Sequence, residues 1–352
     1  MKFRNLVCAS AIFLALSTFV VAQANPAAPQ DSATFQPDGT AQITRVIPMP
    51  PTISPEAQKW LDTLDQQPPK PQEPLPERRI RTDAWRKWDS AEALKLYPAN
   101  VQETSMAGVR TDIITPLSAS ATNRVLINLH GGGFNSDSGS LIEGIPIANL
   151  ARIKVVSVYY RLAPENPFPA AVDDVVAVYK ELLKTYPPHN IGIYGTSAGA
   201  ILTCQAAIRF KQLGLPLPGA LGIFSGLADF SRPGDSWQMY TLDGLPGFLE
   251  PTDPNHLHDD PYVGKTDRRD PVLSPLFADL HGMPPSLLVS STRDILLSGT
   301  TIFHRALLHA GDDAQLVVFE GLPHAFWYHF QLPETREALE LMAKFFDEKV
   351  GR

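Results

Sequence analysis

From Gln102 onward the chain alternates short apolar runs with longer segments of helical period. The runs at 124–129, 154–159, 191–194, 220–224, 286–290 and 315–319 are rich in Val, Ile and Leu and read as strands. Helical spacing fills the intervals near 140–152, 170–186, 198–213, 298–310 and 333–349. Strands that are apolar throughout are buried on both faces, and intervening helices join parallel neighbours. The pattern predicts an α/β fold with a mostly parallel sheet, helices on both faces, and an antiparallel pair near 104–115 to open it.

Two stretches break this rhythm. About sixty residues between Ser225 and Ser286 pass without a clear strand, more than a crossover needs. That insertion carries Phe230, Trp237, Met239, Tyr240, Phe248 and Tyr262. Upstream, residues 25–76 form a leader dense in proline, which limits regular helix or strand. The segment 82–96 then places Trp85, Trp88, Leu94 and Leu96 at roughly helical spacing, and such aromatics call for cover.

Composition changes the picture at the two ends. Residues 1–24 read as an export signal: Lys2 and Arg4, an apolar stretch from Leu6 to Val21, then the small-x-small triplet Ala22-Gln23-Ala24. Cleavage there predicts a periplasmic or secreted protein with no stable membrane anchor, the alternative being an uncleaved anchor. Removal of the signal takes Cys8 with it. Cys204 is then alone and the mature monomer forms no internal disulfide. The formal charge of −7 becomes more acidic without Lys2 and Arg4, which gives no electrostatic reason to bind nucleic acid or an anionic membrane. A neutral small molecule suits such a chain better.

The candidate chemistry sits where strands end. Gly195-Thr196-Ser197-Ala198-Gly199 follows one strand and opens a helix. A nucleophilic serine on so sharp a turn needs small residues at its flanks, and the helix N-terminus directs amide groups at developing negative charge. His130-Gly131-Gly132-Gly133 follows an earlier strand, and the N–H groups of Gly132, Gly133 and Ala198 could together hold an oxyanion. A serine hydroxyl needs a base, and the base an orienting carboxylate. Of nine histidines, His324, in Gly321-Leu322-Pro323-His324, directly follows the last strand and precedes the last helix. For the carboxylate, Asp294 follows the strand at 286–290, whereas its rival Asp270 precedes that strand in a turn-forming Asp-Pro pair. The cluster His256, His258, Asp259 and Asp260 has metal-binding residue types, but nothing nearby completes a set, and an acidic polar loop explains it equally well.

Taken together, these residues resemble the hormone-sensitive-lipase-like α/β-hydrolases, the bacterial family IV esterases. The likeness runs from about Leu126 to Trp327 and includes His130-Gly131-Gly132-Gly133-Phe134, Tyr160-Arg161-Leu162-Ala163-Pro164-Glu165, Pro167-Phe168-Pro169-Ala170-Ala171, the serine turn, Asp270-Pro271 with Ser274-Pro275, and His324. Thr196 replaces the Asp that many relatives carry before the serine, which resembles the GTSAG branch and removes a negative charge beside Ser197. The resemblance implies an eight-stranded α/β-hydrolase fold across 77–352 with a helical cap from about 77–100 and 226–275. It further implies hydrolysis of short- to medium-chain carboxylic esters by Ser197, Asp294 and His324, with no cofactor or metal. A lactone hydrolase would use the same three residues, and a non-catalytic ligand-binding relative is the remaining alternative. The sequence leaves monomer and homodimer equally open.

Overall fold

The computed structural model describes residues 31–66, 73–117, 123–137, 139–232, 234–245 and 260–352. Residues 1–24, expected to be an export signal, and Phe248, His256, His258 and Asp259 therefore lie outside the described residues. Two units are distinguished, one ending at Met49 and one running from Pro50 to Arg352. The first holds an antiparallel hairpin of β1 (Ser32–Phe35) and β2 (Ala41–Thr44), exposed along both strands.

The second unit opens with two helices. α1 (Pro55–Asp65) forms inside the stretch whose prolines predicted little regular structure. The reason is local: Pro55 sits in the first turn, where its missing N–H costs nothing, and the Ser54 hydroxyl accepts from the Ala57 N–H at 3.1 Å. α2 (Leu75–Leu96) starts seven residues before the predicted helix. Its buried residues are Thr82, Asp89, Ser90 and Ala93, while Trp88 and Leu96 are exposed, so the expected cover exists for Trp85 and not for Trp88. The small side chains on its inner face allow α2 to lie against α3 (Ser140–Ala151).

β3 (Ala99–Met106) and β4 (Val109–Pro116) form the antiparallel edge, turning through Ala107 and Gly108, both at positive φ. β5 (Val125–Leu129), β6 (Lys154–Val158), β7 (Ile191–Thr196), β8 (Ala220–Phe224), β9 (Ser286–Ser291) and β10 (Ala314–Phe319) run parallel. The eight-stranded order is β10-β9-β8-β7-β5-β6-β4-β3. Period-two alternation divides the core between two faces. Val125, Ile127 and Leu129 join the cluster that includes α4 (Ala170–Leu182), α5 (Ala198–Gln212) and α7 (Leu297–His309). On the other face α3 packs against α8 (Pro333–Lys349), with Phe346 meeting Tyr194. The insertion after β8 contributes the short helix α6 (Asp235–Met239), packed on α7. No helix among the described residues is long and apolar enough to cross a membrane.

This is the α/β architecture that the hydrophobic pattern predicts. Its functional consequence is positional. Because β5, β7, β9 and β10 point the same way, the segments leaving their carboxyl ends emerge at one edge of the sheet, where open α/β sheets place their sites.

Candidate active site

Ser197 occupies the one-residue hinge between β7 and α5, with φ 59° and ψ −121°. A side chain at positive φ is held there only by its surroundings. Ser197 N–H donates to Phe224 O at 2.9 Å, and Ser197 O accepts from Ile201 N–H in the first turn of α5. Both flanking glycines are required by one neighbour. A Cβ on Gly195 would stand 2.2 Å from Leu129 O, and one on Gly199 would stand 1.7 Å from the same atom. The elbow thus presses on the end of β5, and only bare backbone fits. Among close-packed neighbours Ser197 remains partly exposed.

The segment leaving β5 turns at Gly132 and Gly133, with φ of 111° and 60°. A Cβ on Gly132 would lie 2.1 Å from Ser136 O, so this turn too excludes any other residue. The Asn135 and Ser136 N–H groups donate to Gly132 O at 3.2 and 3.1 Å, which closes the loop on itself. His130 stacks on Tyr160 at 4.1 Å, and Tyr160 Oη donates to His130 O at 2.6 Å. Phe134 stacks on Tyr262 of the insertion at 3.5 Å. Among the described residues, the N–H groups of Gly132, Gly133 and Ala198 donate no hydrogen bond. A bare amide favours negative charge, most of all at a helix start such as that of Ala198.

His324 follows β10, and its Nδ1 lies 2.8 Å from Asp294 Oδ1. Asp294 is fully buried in the turn between β9 and α7. Burial alone would raise its pKa, yet the value is held below the ordinary carboxylate range. The imidazole beside it and hydrogen bonds from His324, Ser225 and Leu296 N–H outweigh the desolvation. Ser290 Oγ also donates to Oδ2 at 2.7 Å. So many donors fix the carboxylate and aim one oxygen at the ring. Asp270 is employed elsewhere: its Oδ1 accepts from the Val272 and Leu273 N–H groups, capping its own turn. The serines around Asp294 were not distinguishable in the sequence, since hydroxyl residues at strand ends are common.

A second buried group, absent from the sequence reading, lies behind the serine. Thr196 Oγ1 accepts from Trp327 Nε1 at 3.0 Å and donates to Glu143 Oε2 at 3.0 Å. Glu143 Oε1 accepts from Tyr328 Oη at 2.8 Å. Burial pushes the Glu143 carboxyl up to about 8. Two arginines of α2 reach the glycine loop from outside. Arg79 Nε donates to Asn135 O at 2.6 Å and its Nη2 to Ala163 O at 2.8 Å, while Arg86 stands 3.3 Å from Asp137.

A cavity of about 270 Å³ lies between the segment after β8 and α7, walled by Leu227, Trp237, Leu276, Ile295 and Ile302. Ser197, His324 and the glycine loop are not in its wall. Among the described residues no group of three or more His, Cys, Asp or Glu could hold a metal ion.

Known proteins match this chain in sequence and fold. Residues 126–328 match the family of the α/β-hydrolase fold, well over half the chain. An acetyl-hydrolase of Streptomyces hygroscopicus is 35% identical over 235 residues, which cover 65% of this chain and 77% of that one. A crystallised esterase superposes with a TM-score of 0.75 at 31% identity, covering 87% of this chain and 98% of its own. A crystallised esterase of the bacterial hormone-sensitive lipase family gives 0.71 at 28% identity, covering 85% and 99%. With a glycine-flanked serine elbow, a glycine loop and an Asp–His pair on one edge of the sheet, this chain belongs to the α/β-hydrolase family, among the esterase-type hydrolases related to bacterial hormone-sensitive lipases.

Proposed function

We propose that the protein is a serine carboxylesterase of the GTSAG branch, acting on short- to medium-chain esters through an acyl-enzyme. His324 removes the proton from Ser197 Oγ as that oxygen attacks the ester carbonyl. The oxyanion that forms is held by the N–H groups of Gly132, Gly133 and Ala198. Asp294 stabilises the imidazolium, which then gives its proton to the departing alcohol. Water activated by the same base releases the acid and restores Ser197.

The observation that carries this reading is the 2.8 Å bond between His324 and a buried, low-pKa Asp294, at the sheet edge where the strained Ser197 also emerges. The acyl preference draws support from the acetyl-hydrolase relative. Tyr262, stacked on Phe134, supports a cap contribution from 226–275, and Arg79, bonded to Asn135 O, supports one from 77–100. The signal pattern of residues 1–24 supports export to the periplasm or medium.

The test is Ser197→Ala assayed on p-nitrophenyl butyrate, with mass spectrometry of the wild-type protein after a fluorophosphonate. Hydrolysis should fall by about 10⁴-fold or more while circular dichroism is unchanged, and one adduct should map to Ser197. Wild-type turnover in the folded variant would refute the assignment.

A further inference from the structure

Elbow serines and their histidines come from distant parts of the chain, so something must hold the two segments in register. Here Ser197 directly follows β7, and His324 lies on the segment after β10, three strands away in the sheet. The Asp294 bond orients the imidazole but does not tie it to the elbow. The tie runs through other residues. Trp327, three residues past His324, donates to Thr196, the immediate neighbour of Ser197. Tyr328 donates to Glu143, and Thr196 donates to the same carboxyl's other oxygen. One carboxyl group therefore bridges the residue before the serine and the segment after the histidine. Glu143 itself lies in the first turn of α3, directly downstream of the glycine loop.

The surroundings are fitted to this bridge. Glu143, Thr196, Trp327 and Tyr328 are all buried. A Cβ on Gly139 would stand 2.4 Å from Tyr328 Oη and 3.0 Å from Glu143 Oε1, so this glycine makes room for the pair. Trp85 of α2 packs beside Tyr328 at 5.9 Å. Both hydroxyls can donate or accept, so the bridge persists whether the carboxyl is neutral or ionised.

We infer that Glu143 is a positioning residue, which through Thr196 and Tyr328 locks the histidine segment to the serine elbow and so sets the Ser197–His324 geometry. The inference rests on the assignment of Ser197 and His324 as nucleophile and base. Glu143 does not meet substrate. It acts on the distance over which a proton moves, and a misplacement of about 1 Å is worth up to about 100-fold in rate.

The experiment compares Glu143→Leu, Glu143→Gln, Thr196→Val and Tyr328→Phe with wild type and Ser197→Ala. Each is assayed on p-nitrophenyl butyrate and by the second-order rate of inactivation with a fluorophosphonate. Glu143→Leu should lower kcat by about tenfold or more and slow inactivation by the same factor, with KM within about twofold. Gln, which can still link both hydroxyls, should recover most of the rate. Thr196→Val and Tyr328→Phe, each removing one arm, should fall between. Wild-type kcat and inactivation rate in folded Glu143→Leu would overturn the inference, as would a loss confined to KM or one that Gln does not restore. Should the Leu variant fail to fold, wild-type rates in both single-arm variants would overturn it instead. Retained hydrolysis by Ser197→Ala would mark the failure of the serine assignment rather than of the bridge.

Discussion

At the scale of single residues, the site is built as much from missing side chains as from present ones. Gly199 and Gly133 are both conformationally special, but for different physical reasons. Gly199 has no room, because a Cβ would sit 1.7 Å from Leu129 O, a backbone atom at the end of a central strand. Gly133 has room, with nothing closer than 3.7 Å, but its φ of 60° is costly for any residue with a Cβ. Gly133→Ala should therefore lose only about 1–2 kcal/mol of stability. Gly199→Ala must push β5 or α5 aside, and should lose about 3 kcal/mol or more and displace Ser197 with it. Urea denaturation of the two variants checks the ordering; equal losses would mean that α5 shifts freely and that the elbow is not wedged on β5. The glycines were legible in the sequence as a motif. The atom that demands them was not, since Leu129 lies seventy residues upstream of Gly199.

At the scale of elements, α2 bears on the chemistry from outside the sheet. Arg79 and Arg86 lie two turns apart on one side of the helix and both reach the segment that follows β5. Arg79 joins Asn135 O to Ala163 O and also pairs with Glu165 at 2.8 Å, so one guanidinium braces the glycine loop against the loop after β6. The planar fork of arginine suits such bridging, and lysine could not replace it. Arg79→Met keeps the apolar stem but removes three links at once. It should lower kcat by about tenfold through a looser oxyanion site, with helix content unchanged by circular dichroism. Normal kcat would show that the loop is held by its own turn. Periodicity found the core strands and most helices because each buries a regular face. It failed on α1, where proline density concealed a capped start, and on the inner face of α2, where burial falls on Thr82, Asp89, Ser90 and Ala93 rather than on tryptophans. Serine, histidine and aspartate candidates stood out because each follows a strand. Glu143, Trp327 and Tyr328 did not, and Thr196 stood out only as a motif position, because their bonds span 53, 131 and 185 residues and no local spacing encodes them.

At the scale of the whole molecule, burial of ionisable groups makes stability depend on pH in a way that singles out Glu143. Its carboxyl titrates near 8 in the folded protein and near 4.5 in the unfolded chain. Between those values the folded state holds a proton that the unfolded state has released, so stability is greatest below 4.5 and falls as pH rises towards 8. His329 acts in the opposite direction. Burial lowers it from 6.5 to about 4, so its contribution grows as pH rises from 4 to 6.5 and is then complete. Asp89, raised by burial from 3.8 to about 6, has finished titrating by neutrality. Of the described groups displaced this far, Glu143 alone changes charge in the folded state between pH 6.5 and 8. Unfolding free energy should therefore decline across that window by up to about 1.4 kcal/mol per pH unit, a change readable from urea midpoints. Glu143→Gln carries no titrating proton there and should remove the decline between pH 6.5 and 8, while the opposing contributions of His329 and Asp89 below pH 6.5 stay as they are. A wild-type midpoint that stays level from 6.5 to 8, or a decline that survives in the Gln variant, would mean that the carboxyl behind the elbow is already ionised at neutrality. The bridge between Thr196 and Tyr328 would then rest on an anion accepting from both hydroxyls. In that case Thr196→Asp, which sets a second carboxylate beside it, should be far more destabilising above pH 7 than below, because two buried like charges cannot both ionise without severe cost.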